Sequence, residues 1–510
     1  MTKKVTIRLL DEVSVFIHGL DDHHHDHLYN KYGVFAPNHF FNPKFKLGRW
    51  DGKIRYYQQT GRTFLYLLDE ILPQIAKWGY KIDLEDRRSG NYASPDLIDN
   101  NIFAHITHLD TGKPIVLRDD QVTAVNSLIQ DGNGLCIAAT GAGKTFMCAA
   151  LCAAYDKKGI RTLTIVPDQT LINQTKRDYI NCGLDTGEYS GSEKSTEHAH
   201  VVSTWQALKN NPKIVELFQM VIVDECHGLR GNVLQNILID HCANVPYRFG
   251  FTGTLPKEQT DRLAVFVAVG SVKHSIGARE LIDMGQLANL HIDVIQLEED
   301  LQKQYKEFCD EVNFGKPPTY TQFKDGYFPD FSAEKSYLHR NNDRIAWIAA
   351  YIEAKRNNKK GNVLCLVDNI AFGRQLAQFI PNAIFVNGQD IKKVEDRQAV
   401  YDLFKDQDDL VVIATVHIAG TGLSIRRIFN LVLVDVGKSF IRVIQAIGRG
   451  LRMADDKDSV NISDICSDLK YGKKHLKQRI DYYNEAQYPF KKHKVDYHKL
   501  MRSPIDDSDE

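Results

Sequence analysis

The chain has 510 residues, of which 43% are hydrophobic and 25% are charged, and its formal net charge is −1. This length predicts about three domains, and the near-zero charge excludes a general attraction to nucleic acid, so any such binding must depend on local patches. No run of about 18 apolar residues occurs and the N-terminus has no apolar core, so we expect neither a membrane span nor a signal peptide. Nine cysteines without close metal-type pairs predict a reduced protein of the cytoplasm.

Residues 1–110 mix strand and helix patterns, and we expect a small α+β domain here. Within it, five cations alternate with Phe45 and Trp50. Cations beside aromatic rings are typical of a nucleic-acid surface, although an amphipathic hairpin with a turn at 51–52 gives the same pattern. In both cases we expect Trp50 in the core. The candidate contacts to DNA are Lys44, Lys46, Arg49, Lys53 and Arg55.

The run 21–27, with the sequence DDHHHDH, contains four histidines. Histidines at this density bind transition metals. A specific site also needs fixed geometry, and adjacent residues of one loop rarely converge on one ion. We therefore predict adventitious metal binding here and no physiological site.

The segment 138–145, with the sequence AATGAGKT, follows an apolar run at 135–137 and precedes a helical stretch at 146–151. A strand, a Gly-rich turn ending in Gly-Lys-Thr and a helix form the phosphate cradle of P-loop nucleotide hydrolases. Glycines let the backbone approach the phosphates, and the helix N-terminus presents free N–H groups. Ala138 replaces the usual first glycine. The expected nucleotide contacts are Thr140, Gly141, Ala142, Gly143, Lys144 (on the phosphates) and Thr145, whose hydroxyl would bind Mg²⁺.

A second apolar run, 220–223, ends in Asp224-Glu225-Cys226-His227. An acidic residue at the tip of a neighbouring strand is the expected second ligand of the Mg²⁺, and Asp224 takes that role. Glu225 is placed to orient and deprotonate an attacking water. Without the P-loop, an exposed turn after a core strand would explain the same residues.

Residues 224–227 resemble the DExH box of superfamily-two helicases and translocases, and other segments resemble further motifs of that family in order. The segment 117–121 resembles the one whose glutamine reads adenine, which implies that role for Gln121, and His227 joins the nucleotide-binding set. Segments 164–167 and 203–206 resemble nucleic-acid-contacting motifs, which implies that Thr204 and Trp205 lie near DNA. Segment 251–254 resembles the motif that couples hydrolysis to movement.

The fifth and sixth motifs of the same family resemble segments 413–424 and 445–452. The fifth implies that Thr415 contacts the DNA backbone and that Gly422 contacts nucleotide. Arg449 and Arg452 share a face of a predicted helix, and guanidinium groups stabilise the charge that develops in phosphoryl transfer. Gln445 would hold the water or bridge to the DExH box. Since these catalytic residues belong to a second lobe, hydrolysis would require the lobes to close.

Apolar strands alternate with helical stretches, a pattern that predicts parallel sheets. We expect an α/β fold with two RecA-like parallel-sheet lobes and a small α+β N-terminal domain. The predicted strands are 135–139, 162–166, 200–203, 220–224 and 247–252 in lobe one, and 362–367, 383–386, 410–414 and 430–435 in lobe two. The predicted domains are 1–110 (DNA-binding), 111–272 (lobe one), 273–345 (connector and insertion), 346–470 (lobe two) and 471–510 (basic helix and acidic tail).

Residues 41–55 are also similar to a segment of the UvsW-type helicases of bacteriophages, which precedes the motor as part of a DNA-binding domain. This resemblance implies an ATP- and Mg²⁺-dependent helicase for branch migration of Holliday junctions, fork regression and unwinding of D-loops or R-loops. It implies branched or duplex DNA as the partner, RNA–DNA hybrids as further substrates, no membrane and the host cytoplasm, and we favour a monomer. Open alternatives are a DEAD-box-class RNA helicase, a restriction-system motor subunit, a remodeller-type translocase and a DNA-binding scaffold with an inactive motor.

Overall fold

The structure is a computed structural model that describes residues 3–88, 92–108, 112–228, 232–256, 258–311, 317–357, 361–391, 396, 399–400, 402–405, 407–416, 427–437 and 459–502. The chain divides into two compact units, Met1–Ile276 and Gly277–Glu510. In these described ranges, none of the helices has the length and apolar character needed to cross a membrane.

The strands of the first unit are β1 Lys4–Leu9, β2 Ser14–His18, β3 Gly33–Phe35, β4 Lys53–Arg55, β5 Arg62–Phe64, β6 Lys81–Asp86, β7 Asn133–Ala138, β8 Thr162–Val166, β9 Thr186–Tyr189, β10 His200–Thr204, β11 Met220–Asp224, β12 Tyr247–Thr252 and β13 Val272–Ile276. Its helices are α1 Asp22–Lys31, α2 Pro43–Lys46, α3 Leu68–Lys77, α4 Asp119–Asp131, α5 Lys144–Asp156, α6 Gln169–Asn181, α7 Trp205–Asn210, α8 Asn232–Asn236 and α9 Gln259–Val269.

The strands of the second unit are β14 Asn289–Leu297, β15 Val363–Val367, β16 Ile384–Val386, β17 Val411–Thr415, β18 Asn430–Val434, β19 Ser459–Ser467 and β20 Phe490–Val495. Its helices are α10 Ala278–Asp283, α11 Gln302–Glu311, α12 Tyr320–Gly326, α13 Phe331–Arg340, α14 Asn342–Arg356, α15 Ile370–Gln378, α16 Lys470–Glu485 and α17 Tyr497–Arg502.

The N-terminal domain is built on a four-stranded mixed sheet with the order β5-β2-β1-β6. Alternate residues of β1 are buried, which places one face of the sheet on a core under α1 and α3. Leu263 and Val267 of α9 join that core, so the domain shares its core with the lobe that follows. β3 and β4 form a separate antiparallel pair. The predicted α+β character is confirmed.

Lobe one is a seven-stranded parallel sheet with the order β13-β7-β12-β11-β8-β10-β9. Its central strands are continuous apolar runs because helices cover both faces of such a sheet. β12 lies between β7 and β11. The carboxyl ends of these three strands are therefore neighbours, although β7 and β11 are far apart in sequence.

Lobe two is a second seven-stranded parallel sheet with the order β16-β17-β15-β18-β19-β14-β20. β14 comes from the region predicted as a connector, and β20 from the region predicted as a basic helix and tail. β20 is an edge strand whose residues 491–494 are exposed lysines and a histidine. Such charges protect an edge strand against pairing with another chain.

Candidate nucleotide and nucleic-acid site

The turn between β7 and α5 has the backbone shape of a phosphate-binding loop. Gly141 and Gly143 have φ angles of +92° and +82°, in the left-handed region that glycine adopts without strain. A Cβ atom at Gly143 would lie 2.2 Å from Nε2 of Gln121. A larger residue at this position therefore requires a shift of the loop or of α4.

Two side chains at the start of α4 form hydrogen bonds to this loop. Nη2 of Arg118 and Nε2 of Gln121 donate to the carbonyl of Ala142 at 2.7 and 2.9 Å. Oε1 of Gln121 accepts from the backbone N–H of Arg118 at 3.0 Å, and Gln121 is only 4% exposed. Gln121 thus shapes the P-loop, and its contact with adenine stays a prediction. The contact of Arg118 with the P-loop was not predicted, because an arginine next to a helix start carries no sequence signal for a partner 24 residues later.

Lys144 and the acidic pair at the end of β11 meet at the same edge. Nζ of Lys144 lies 3.3 Å from the carbonyl oxygen of Ala138 and 3.5 Å from Oε1 of Glu225. Glu225 has a φ angle of +50°, and its N–H donates to the Asp224 carboxylate at 2.9 Å. Non-glycine residues in this region of φ are strained, and such strain concentrates at functional sites.

The electrostatics separate the two carboxylates. Burial and the adjacent Glu225 charge raise the pKa of Asp224. Burial alone would raise the pKa of Glu225 as well, but Lys144 and His227 outweigh it and lower that pKa. Burial opposes the ammonium of Lys144, whereas Glu225 and Asp224 favour it, and the pKa of Lys144 is raised. Lys144 and Glu225 therefore face each other as a charged pair.

His227 connects the acidic pair to the end of β12. Its Nδ1 lies 3.0 Å from Oγ1 of Thr252 and 3.1 Å from Oε2 of Glu225. The Thr252 hydroxyl donates to the carbonyl of Thr254 at 2.9 Å, so it accepts from His227. We assign the proton of His227 to Nδ1 on this basis. The segment predicted to couple hydrolysis to movement thus contacts the DExH box directly.

These residues fit a Mg²⁺–nucleotide. The Thr145 hydroxyl in the first turn of α5 and the Asp224 carboxylate at the tip of β11 are the oxygen donors that Mg²⁺ prefers. The N-terminus of α5 and the Lys144 ammonium supply positive charge for phosphates. Thr140 and Ala142 lie in the turn itself.

The predicted DNA contacts of the motor lie at carboxyl ends of parallel strands. Thr204 ends β10, is buried, and caps α7 by accepting from the N–H of Ala207 at 3.4 Å. Trp205 is partly buried against the core of lobe one. Thr415 ends β17 and is buried. The remaining candidates, Gly422, Gln445, Arg449 and Arg452, lie outside the described residues.

The basic loop, residues 36–52, connects β3 to β4 and contains α2. Lys44, Lys46 and Arg49 are exposed, and Nζ of Lys53 lies 4.9 Å from the ring centre of Phe35. Arg55 at the end of β4 is less exposed than Lys44, Lys46 and Arg49. Its guanidinium forms an ion pair with Asp51 and lies 4.2 Å from the ring centre of Tyr29.

Trp50, which we predicted in the core, is only half-buried. Its indole N–H donates to the carbonyl of Lys53 at 3.0 Å, so its role is to fasten the end of the basic loop. β4 pairs with β3 and not with the segment immediately before the Asp51-Gly52 turn. The alternative interpretation of residues 41–55 as an amphipathic hairpin is therefore wrong, because the segment forms a short helix and a strand with an earlier partner.

Three family models match the chain in succession. They are described as "DNA helicase UvsW, N-terminal" over residues 5–85, "Type III restriction enzyme, res subunit" over 114–257 and "Helicase conserved C-terminal domain" over 343–454. The chain therefore has a UvsW-type N-terminal domain followed by the two motor domains of a helicase. The predicted resemblance to UvsW-type helicases of superfamily two is confirmed.

Relatives of this helicase include "ATP-dependent DNA helicase uvsW" of Enterobacteria phage T4, which is 24% identical over 84% of each chain. "Putative helicase 22" of a Sulfolobus islandicus filamentous virus is 27% identical over 79% of this chain and 78% of its own. The solved fragment of "a putative HsdR subunit of a type I restriction enzyme" from Vibrio vulnificus has a TM-score of 0.54 at 18% identity, over 78% of this chain and 71% of that one. The last likeness shows the shared fold.

The second unit of this helicase contains a buried network of charges at the carboxyl end of β18. Arg344 of α14 is fully buried and contacts Glu299 at 2.9 Å and Asp435 at 2.7 Å. The hydroxyl of Tyr497 donates to Glu299 at 2.8 Å. Arg479 of α16 is also buried and donates to the carbonyl of Val436 at 2.7 Å. These contacts fix the turn that follows β18.

The histidine-rich run forms the start of α1. Ligand atoms of Asp21, His23 and His24 lie within 4.8 Å of one another. The Asp21 carboxylate already accepts two hydrogen bonds from Lys3, and Nδ1 of His24 lies 2.9 Å from the Tyr80 hydroxyl. A metal ion would have to displace these partners.

Proposed function

We propose that this helicase is an ATP-driven motor on branched and duplex DNA, with branch migration of Holliday junctions, fork regression and unwinding of D-loops or R-loops as its activities. One observation carries the proposal. The P-loop, the DExH box and Thr252 meet at the carboxyl ends of β7, β11 and β12, in a chain whose N-terminal domain is of the UvsW type. The T4 relative is itself an ATP-dependent DNA helicase.

In this proposal the first unit binds ATP and Mg²⁺. Lys144 binds the phosphates, while Thr145 and Asp224 bind the Mg²⁺, which neutralises charge on the transferred phosphoryl group when it is bound. Gln121 and Arg118 keep the P-loop in shape through the Ala142 carbonyl. Glu225 orients the attacking water and takes its proton.

The Lys144–Glu225 pair supports this assignment of roles. Lys144 keeps Glu225 ionised and weakly basic as long as the two lie 3.5 Å apart. Phosphates compete for the same ammonium, because a P-loop lysine binds the β- and γ-phosphates. Once Lys144 turns to them, Glu225 loses its main cation and its pKa rises, which makes it a better proton acceptor.

We infer the remaining roles from the motif resemblance. Arg449 and Arg452 would stabilise the developing phosphate charge, Gln445 would position the water, and Gly422 would contact nucleotide. Thr204, Trp205 and Thr415 would lie along one DNA strand. Because backbone contacts carry no sequence information, substrate choice would depend on the shape of the junction. We propose a monomer as the working form.

The deciding experiment is the ATPase rate with a four-way DNA junction, linear duplex, single-stranded DNA and structured RNA. Glu225→Gln serves as the hydrolysis blank. We expect strong stimulation by the junction and the duplex, followed by strand exchange in a gel assay. Stimulation by RNA alone would overturn the DNA assignment and leave the motor in place, and ATP-dependent cleavage of the DNA would favour a restriction motor.

A further inference from the structure

Large aromatic side chains on the basic loop, and at the end of the strand β3 that precedes it, are exposed to solvent. Phe35 at the end of β3 is 53% exposed, and Phe40 and Phe41 in the loop are 50% and 67% exposed. None of the three belongs to the hydrophobic core of the N-terminal domain. Contiguous exposed apolar surface of this kind marks a binding site.

The loop that carries these rings is held in place by its own contacts. The N–H of Ala36 donates to the carbonyl of Gly52 at 2.7 Å, and Asn42 caps α2 through the N–H of Lys44 at 2.9 Å. His39 stacks on Phe35 with ring centres 4.7 Å apart. Gly52 has a φ angle of +79°, and a Cβ atom there would lie 2.8 Å from the His39 ring. The inner side of the loop is packed, whereas the Phe40 and Phe41 side chains remain exposed.

The charge around the rings indicates what they bind. Residues 33–55 contain five cations and one carboxylate, whereas the whole chain has a net charge of −1. Lys44, Lys46 and Arg49 are exposed beside Phe40 and Phe41 in sequence, and the ring centres of those two phenylalanines lie 4.4 Å apart. Flat apolar faces next to cations match the two parts of an unpaired nucleotide, its base and its phosphate.

We propose that Phe40 and Phe41 stack on unpaired bases at the branch point of the DNA, while Lys44, Lys46 and Arg49 bind the adjacent phosphates. Fully paired duplex offers phosphates to this loop but no free base faces. The aromatic residues therefore select branched or gapped DNA, and the cations bind both. This inference rests on the proposed DNA motor and names the structural feature that its N-terminal domain recognises.

The test compares Phe40→Ala/Phe41→Ala with Phe379→Ala, which removes a phenylalanine of the second unit that is 41% exposed. Binding is measured to a fork with a short unpaired gap at the branch and to linear duplex of equal length. We expect the double variant to lose roughly tenfold or more in affinity for the fork, and little for the duplex. Phe379→Ala should match the wild type on both DNAs.

Salt dependence and a fluorescent base separate stacking from charge. The phenylalanine variant should keep the wild-type salt slope, while Lys44→Ala/Lys46→Ala should lower it by about one for each lysine. 2-Aminopurine placed at the branch should change fluorescence with the wild type and with Phe379→Ala, and much less with the phenylalanine variant. All the substituted side chains are exposed, and melting curves check that each variant is folded.

The stacking inference would be overturned if the phenylalanine variant lost equal affinity for fork and duplex. It would also be overturned if this variant gave the same 2-aminopurine signal as the wild type. The DNA-stimulated ATPase rate of the wild type then tests the proposed motor separately, because this measurement does not depend on the role of the phenylalanines. Absence of that stimulation would overturn the motor itself. Loss of binding to anionic phospholipid vesicles in the phenylalanine variant, with DNA binding intact, would assign the loop to a membrane surface and also overturn the inference.

Discussion

The carboxyl edges of the two seven-stranded sheets both carry charged side chains, but these side chains are paired in different ways. At the edge of lobe one, Lys144 and Glu225 are 14% and 19% exposed and lie 3.5 Å apart. At the edge of lobe two, Arg344 and Glu299 are fully buried and 2.9 Å apart. The first pair is wider apart and partly accessible to a ligand, whereas the second pair is in close contact and inaccessible to solvent.

This difference indicates different purposes for the two edges. A buried ion pair contributes little net stability compared with apolar packing, yet it fixes geometry, because either charge alone would be very unfavourable. In lobe two it fixes the turn at Asp435, whose φ angle is +46°. Arg449 and Arg452 follow this turn in the sequence. We infer that the second edge is a rigid support, and that the first performs the chemistry.

The chemistry of the first edge is tested most severely by Glu225→Gln. We expect ATP binding to be kept and hydrolysis to fall about 10²-fold or more, because the amide cannot accept the proton of the water. Single-turnover hydrolysis and equilibrium nucleotide binding measure the two effects separately. Glu193→Gln is the control, since Glu193 does not belong to the P-loop or the DExH box and pairs with Lys176 at 2.9 Å. A parallel loss of ATP binding would give Glu225 a structural role instead.

The rigidity of the second edge is tested by Arg344→Met. Removing this guanidinium leaves Glu299 and Asp435 buried without their cation, so the free energy of unfolding should fall by about 3–5 kcal/mol. Arg374→Met is the matched control, because its pair with Asp390 at 2.8 Å is about half exposed and should contribute less than about 1 kcal/mol. Urea unfolding can be followed through Trp347 of α14, after the other three tryptophans are replaced by phenylalanine. Equal effects of the two substitutions would show that the buried pair of Arg344 contributes no more than an exposed surface pair, which would contradict its role as a rigid support.

Much of the scaffold behind both edges could be predicted from the sequence. The predicted strands 162–166, 220–224 and 247–252 coincide with β8, β11 and β12, and the other predicted strands end within two residues of β7, β10 and β15–β18. These strands are buried on both faces, so each is a continuous apolar run with a clear signal. The sequence also named the chemical groups at the first edge, since each follows such a run.

The parts that were not predicted depend on non-local partners. β20 has the sequence FKKHKV, which carries little strand pattern, and it is a strand because it pairs with β14 about 200 residues earlier. The contact of His227 with Thr252 depends on the pairing of β12 with β11, and strand order is not visible in a run of apolar residues. The buried position of Arg344 has the same origin, because an arginine in an amphipathic helix normally predicts a surface.

A half-buried histidine beside the second edge is expected to respond to acid. His339 at the end of α13 stacks on Phe372 with ring centres 4.2 Å apart. Burial lowers its pKa to about 4; Asp435 and Asp368 oppose this shift, whereas Lys335 and Arg344 reinforce it. The folded state therefore disfavours the protonated ring, which the unfolded chain accepts near pH 6.5.

We expect the contribution of His339 to the stability of the second unit to be fully present above about pH 6.5 and to fall by on the order of 2–3 kcal/mol as the pH drops towards 4. His339→Gln cannot be protonated, so its unfolding midpoint should change less over this pH range than that of the wild type. His493→Gln is the control, because His493 lies exposed on β20. Identical pH profiles for wild type and His339→Gln would show that this ring does not control the acid response.

The smallest expected effect concerns the link between the DExH box and β12 at the first edge. Thr252→Val keeps the shape of the side chain but removes the hydroxyl that lies 3.0 Å from Nδ1 of His227. Loss of one such hydrogen bond should lower the DNA-stimulated ATPase rate roughly fivefold to tenfold and leave ATP binding unchanged. Thr186→Val is a matched control in the same sheet, because that hydroxyl also donates to a carbonyl two residues away, at 3.1 Å. If both variants lose the same stimulated activity, the effect comes from sheet stability; if only Thr252→Val does, the edge of lobe one transmits DNA binding to hydrolysis through His227.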